Sequence, residues 1–419
     1  MEREVAHFFG RQSLKGIGDI VDKEVPGLVR KLIGFLGPGV VDKCLRNYEK
    51  AIQSSTAVYK DYYLRARHPW WEAFKQYFEL ERRGKSIWKN LTPEIKLLAG
   101  DAKTITTLQK DMPTSVREKF KRDLVDDENA RAYLFELKMA WHYFRKGCCI
   151  KWYEDGGKSH PEFAVDSPDF SFDVECKRIS VDASRKVRRR DFYRLLDKVF
   201  PQLAEMGLSG VIDVDLKERL SGSEKSLTAL AAQLLELVKS CKVRGEYDIP
   251  LGKVVLDKKK GVGEKVLFAE QYRAFLERKA PEAHGVILWK NKDGVPVDSI
   301  EITLKSQKAD TVLRGIQDKV LGAARNQLDK ERPGLVICFL EDVHDFTELA
   351  NESGLQVMSY SLLGREELEH LVGISYCSEP RVTNLGPAES FWNQGLIFRN
   401  PNCKFDVPKE FQFLSEELD

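Results

Sequence analysis

Ser167-Pro168-Asp169-Phe170-Ser171-Phe172-Asp173-Val174-Glu175-Cys176-Lys177-Arg178 is the stretch on which the fold turns. From Phe170 onward the residues alternate, with Phe170, Phe172, Val174, Cys176 and Arg178 on one side and Ser171, Asp173, Glu175 and Lys177 on the other. That is the period of a strand. Glu175 and Lys177 therefore share a face, roughly 7 Å apart at Cα. A carboxylate and an ammonium at that spacing can share a divalent ion and its activated water. The carboxylate oxygens suit Mg²⁺ or Mn²⁺, and the lysine can orient or deprotonate the water or stabilise charge on a phosphate. Asp169 supplies a second acid if the chain bends at Ser167-Pro168.

Upstream, Ala130, Leu134, Leu137, Trp141 and Phe144 recur at helical spacing from about Glu128 to Arg145, and Gly147 ends the run. Glu136 falls among Ala132, Met139, Ala140 and Tyr143 on the flank of the apolar face, where a carboxylate needs a partner. Two roles are open to it: bonding a nearby backbone group or lysine, or serving a metal site. Cys148 to Tyr153 reads as a short strand and Glu154 to Lys158 as its turn. His160 and Glu162, in the loop that follows, are near enough to matter, but a lone loop histidine reads as solvated, and both are left out of the site.

Pro168-Asp169 and then Glu175-Cys176-Lys177, preceded by a helix containing Glu136 and a short apolar strand, resemble the core of the PD-(D/E)XK nuclease superfamily, the restriction-endonuclease-like fold. The resemblance covers about Asp126 to Leu216 in the order helix, strand, acid, strand with Glu-x-Lys, helix, strand. It implies an α/β core in which Asp169 and Glu175 hold Mg²⁺ or Mn²⁺, Lys177 positions the water and Glu136 assists. Asp166 is the alternative first acid. The implied activity is metal-dependent hydrolysis of phosphodiester bonds, in DNA rather than RNA. Two other readings stand beside it: an inactive nucleic-acid-binding scaffold of the same fold, and an interaction protein in which the acids and lysine merely pair.

After Lys177 the sequence turns basic, with Arg185, Lys186, Arg188, Arg189, Arg190 and Arg194 as candidate phosphate contacts. A helix from about Arg188 to Glu205 buries Phe192, Leu195, Leu196, Val199 and Leu203. The next strand, Gly210 to Lys217, is expected to follow that helix within the core, and its Asp213, Asp215 and Lys217 form a rival set of acids and lysine on one face. Residues 218–305 read as an insertion. A helix capped at Asp310-Thr311 and the apolar strand Leu335 to Leu340 then return the chain to the core sheet.

The domain organisation expected is a helical region over 1–125, a nuclease-like domain over 126–378 and an extension over 379–419. The helical region is expected to help bind substrate or to form a homodimer. Thr92-Pro93-Glu94 opens its last helices with a good N-terminal signal. The net charge of the 419 residues is +2 with 32% charged, so binding of a polyanion rests on local clustering. Eight cysteines without CxxC spacing fit reduced thiols and a cytoplasmic protein. No apolar stretch has the length of a membrane span.

Overall fold

The computed structural model describes residues 12–13, 20–54, 68–154, 160–180, 184–206, 210–241, 243–258, 284–290, 296–309, 311–341, 354–378, 381–385, 388–393, 395–409, 411 and 413. Strand β1 (Gln12–Ser13) precedes a run of helices: α1 (Val25–Leu36), α2 (Pro38–Ser54), α3 (Trp71–Arg82), α4 (Pro93–Leu108), α5 (Thr114–Asp123) and α6 (Ala130–Arg145). The local chemistry sets the breaks. Gly37, at φ +94°, separates α1 from α2 in a conformation that a side chain would strain. Thr92 caps α4 by accepting from the Ile95 N–H at 3.3 Å, with Pro93 behind it. Gly147, at φ +82°, closes α6, where its N–H donates to Phe144 O and the Cys148 N–H donates to Tyr143 O. That pair of bonds is a Schellman ending.

Three strands follow: β2 (Cys149–Trp152), β3 (Phe163–Asp166) and β4 (Ser171–Ser180). Then come α7 (Arg189–Glu205), β5 (Gly210–Leu216), α8 (Glu224–Ser240), β6 (Arg244–Ile249), β7 (Gly252–Lys258), β8 (His284–Lys290) and β9 (Pro296–Ser306). The chain ends with α9 (Val312–Asn326), β10 (Gly334–Glu341), α10 (Gly354–Leu363), β11 (Leu371–Ser378), β12 (Arg381–Leu385), β13 (Ala388–Asn393) and β14 (Gly395–Arg399). These elements make a mixed α/β protein with a helical N-terminal region, and no helix among the described residues is long and apolar enough to cross a membrane.

Two compact units divide the chain. The first takes residues 1–51, 67–181 and 312–419, and the second takes 52–66 and 182–311, which includes the stretch 218–305 set apart in the sequence. A six-stranded sheet in the order β14-β11-β10-β4-β3-β2 forms the first unit's core. β2, β3 and β4 are an antiparallel meander, β4 and β11 both run parallel to β10, and β14 is antiparallel to β11. β10 is buried at every position, as a central parallel strand covered on both faces must be. β1, β13 and β12 form a small sheet of their own.

Helix α6 covers one face of the large sheet, where Phe135 stacks on Phe339 at 5.2 Å and Tyr143 packs edge-on against Phe172 at 5.4 Å. On the other face Val312, Ile316 and Val320 of α9 join Ile179, Val336, Cys338 and Leu340 in one apolar cluster. The second unit is a five-stranded sheet, β6-β7-β5-β9-β8, with α7 and α8 packed on one face through Phe192, Leu195, Val199, Leu227 and Leu234.

This topology corrects one expectation. β5 does not follow β4 in the same sheet, because it pairs with β7 and β9 of the second unit. The strand beside β4 is β10, reached through α9, so residues 182–311 of the second unit are spliced between β4 and the helix that returns to it. Asp310 lies outside the described residues.

Candidate functional site

Strand β4 carries the chemistry. Its alternation stands as the residue pattern predicts, but the polar side is sealed: Asp173 is 2% exposed and Glu175 0%. Parallel pairing with β10 sets Val336 beside Glu175 and Cys338 beside Lys177. On the opposite edge β3 pairs only from Ser171 to Val174. β4 runs on to Ser180, so among the described residues its edge beyond Glu175 has no neighbouring strand. The result is a notch in the sheet, with Glu175 at its lip and Lys177 inside.

Lys177 forms an ion pair with Glu175 Oε1, yet neither carboxylate oxygen of Glu175 receives an aligned hydrogen bond among the described residues. Burial, with Glu162 beside it, pushes the Glu175 carboxyl up to about 8 against the pull of Lys177. Burial also works against the charge on Lys177, but Glu175 and Glu162 outweigh it and raise the ammonium above its ordinary value. Near neutral pH the lysine is thus the firmly charged partner.

Two further acids belong to this place. Glu136, 7% exposed on α6, is held well above the usual carboxylate range by burial first and then by Glu162, with Glu175 adding and Lys119 and Lys177 opposing. Glu162 enters at the start of β3, where its N–H donates to the Val174 carbonyl at 3.1 Å and so holds it alongside Val174 and Glu175. Its charge acts on Glu136, Glu175, Lys177 and Tyr133 alike. Glu136, Glu162, Glu175, Lys119 and Lys177 are therefore one electrostatic cluster.

Of the residues singled out in the sequence, the structure brings Glu136, Glu175 and Lys177 together and places Asp169 elsewhere. Asp169 is exposed in the turn between β3 and β4, where the Ser167 hydroxyl accepts from the Phe170 N–H at 3.0 Å. From Ser171 to Glu175 the strand climbs roughly 13 Å, so the turn and the notch are opposite ends of one hairpin. Asp166 is no substitute. It pairs with Lys151, which lowers its pKa, at the same far end. Glu162, not Asp169, is the acid that lies alongside Glu175. Asp173 shares a face with Glu175 but is engaged by the Tyr153 hydroxyl at 2.8 Å and Arg332 at 3.2 Å.

The rival set on β5 lies in the second unit. Asp213 and Asp215 are exposed there, on the alternate side from the buried Ile212, Val214 and Leu216, and Asp213 accepts from the Thr303 hydroxyl. The basic block is also in that unit. Arg188 and Arg190 are exposed, Arg185, Lys186 and Arg189 half-buried. Arg194 is tied to Asp191 at 3.4 Å, the Gly222 carbonyl at 2.8 Å and Glu224 at 3.0 Å, which makes it a structural arginine.

No protein-family model matches the chain, no curated protein matches it, and no solved structure matches it. Among the described residues no group of three or more His, Cys, Asp or Glu is gathered tightly enough to hold a metal ion. The residues of this cluster that sequence reasoning did not single out are Glu162 and Lys119. Pro161-Glu162 directly before the apolar Phe163-Ala164-Val165 was a usable signal: twelve residues separate Glu162 from Glu175, enough for two short strands and a turn to bring both acids to one end. Nothing near Lys119 in the sequence points to the site.

Proposed function

We propose that this chain is a divalent-metal-dependent nuclease of restriction-endonuclease-like fold that hydrolyses phosphodiester bonds, with DNA the preferred substrate. The observation that carries the proposal is Glu175: a fully buried carboxylate whose close partner among the described residues is Lys177 on the same strand, with two more acids acting on it where no strand pairs with the edge beyond. Burying an acid so poorly satisfied costs stability, and perturbed groups of this kind concentrate at functional sites. The order α6-β2-β3-β4-α9-β10, with a meander followed by a parallel crossover, supports the same fold.

Among the described residues the side chains are not gathered into a metal-holding group, but their chemistry is that of ligands for a hard cation. Glu136, Glu162 and Glu175 offer oxygen only, as Mg²⁺ and Mn²⁺ require, and a cation among them would offset the burial and mutual repulsion that raise the pKa values of Glu136 and Glu175. Once bound, such an ion supplies Lewis-acid stabilisation of phosphate charge and a water of lowered pKa. Lys177, anchored by Glu175, presents its ammonium at the notch, where it orients the attacking water or holds a non-bridging phosphate oxygen. Burial of the strand beneath fixes both side chains and limits competing water.

The test is incubation of the purified protein with supercoiled, linear and single-stranded DNA and with RNA, in Mg²⁺, Mn²⁺ or chelator. Metal-dependent cleavage is expected, and Lys177→Ala should slow it by about 10²-fold or more while leaving metal binding largely intact. Cleavage that persists in chelator, or survives Lys177→Ala at full rate, would sink the proposal.

A further inference from the structure

The N-terminal helical region supplies the cluster with a charge that the β4 strand does not. Helix α5 is seated on Tyr133 of α6 by consecutive residues: Phe120 packs edge-on against the Tyr133 ring at 5.7 Å, and the Lys119 ammonium lies 5.7 Å from the ring centroid. Phe120 also meets Trp152 of β2 edge-on at 5.5 Å, and Asp123, bound by Arg122 at 2.7 Å, takes the Tyr133 hydroxyl. Val116, Phe120 and Asp123 form the buried stripe of α5, which leaves its seating rigid and Lys119 half-buried beside it. Tyr133 stands three residues before Glu136, on the neighbouring turn of the same helix face. Lys119 is thereby delivered to the acids, and its charge reaches both Glu136 and Glu175.

We propose that Lys119 is a substrate-contacting residue, its ammonium taking a backbone phosphate of the nucleic acid adjoining the scissile one. The proposal rests on the nuclease reading and deepens it. A divalent cation bound to Glu136, Glu162 and Glu175 would compete with Lys119 for the acids on which its charge acts, and the ammonium can then turn to a phosphodiester. Lysine suits the task, since a hydrated point charge on a flexible stem can leave the carboxylates for a phosphate with little rearrangement.

The experiment compares the full-length protein with Lys119→Ala, Lys119→Met and Lys119→Arg. The methionine keeps the apolar stem against Tyr133 and removes only the charge. Affinity for a short fluorescent DNA, single-stranded or duplex as the wild type cleaves, is measured by anisotropy in Ca²⁺ across a salt series, and KM and kcat in Mn²⁺. The alanine and methionine variants are expected to bind about tenfold more weakly at low salt, with the salt slope smaller by about 1, and with a raised KM. Arginine should restore both. Variants that fold like the wild type and keep its slope and KM overturn the role of Lys119 alone. A loss of thermal stability with slope and KM unchanged also overturns it, by showing that the ammonium only neutralises acids. Absence of metal-dependent cleavage in the wild type removes the nuclease reading, and this inference with it.

Discussion

Glu175 is the residue at which stability and chemistry pull apart. A carboxylate whose pKa rises on folding, here from 4.5 to about 8, binds more protons in the folded state than in the unfolded one between those values. Its contribution to stability is full below the lower value and is lost as pH rises through the upper. With chelator present, the melting temperature should therefore fall from about pH 5 to about pH 8, and Glu175→Gln should flatten that fall by removing the charge. Saturating Mn²⁺ should reverse it, because a ligand that binds only the folded state stabilises it. Calorimetry across pH checks all three. A wild-type melting temperature that rises over the same interval in chelator contradicts this description of the site.

Helix α6 and strand β4 hold their acids in register through a second, separate cluster. Arg178, one residue past Lys177 on the opposite face, meets Glu341 Oε1 at 2.7 Å and Oε2 at 3.0 Å, and also binds the Glu128 carbonyl just before α6 begins. Arg131 of α6 reaches the same Glu341 at 3.7 Å. Glu341 is 7% exposed, so removing Arg178 leaves a buried carboxylate with only the longer Arg131 contact at 3.7 Å. Arg178→Ala should cost on the order of 3 kcal/mol, read as a shift of the urea midpoint. A change within about 0.5 kcal/mol, the ordinary range for surface substitutions, would show that α6 is held by its apolar contacts alone.

The whole molecule shows why some of this was legible in the sequence and some was not. Local periodicity announced β4, α6 and the Thr92 cap, since a strand's alternation, a helix stripe and a capping hydroxyl each need only neighbouring residues. The same periodicity put Glu175 and Lys177 on one strand face, and the helical stripe put Glu136 on the flank of its apolar face; the structure places the three in one cluster. Asp169 was favoured because Pro168-Asp169 matches the first acid of the nuclease pattern, but the residues that meet across a hairpin are those far apart along the chain, and Asp169 stands in the turn. The neighbour of β4 was assigned to β5 for the same reason. The sequence reading starts the excursion between β4 and α9 at 218, but the second unit takes the chain from residue 182, so α7 and β5 belong to it as well. Lys119 could not be found at all, because its place depends on the docking of α5 against Tyr133. The most direct measurement of the account is Mn²⁺-dependent nicking of supercoiled plasmid by wild type, Glu162→Gln and Asp169→Asn side by side. The account predicts wild-type cutting, a loss of about 10²-fold or more in Glu162→Gln and an unchanged rate in Asp169→Asn. Loss of cutting in Asp169→Asn with full activity in Glu162→Gln, or no metal-dependent cutting by the wild type, would contradict it.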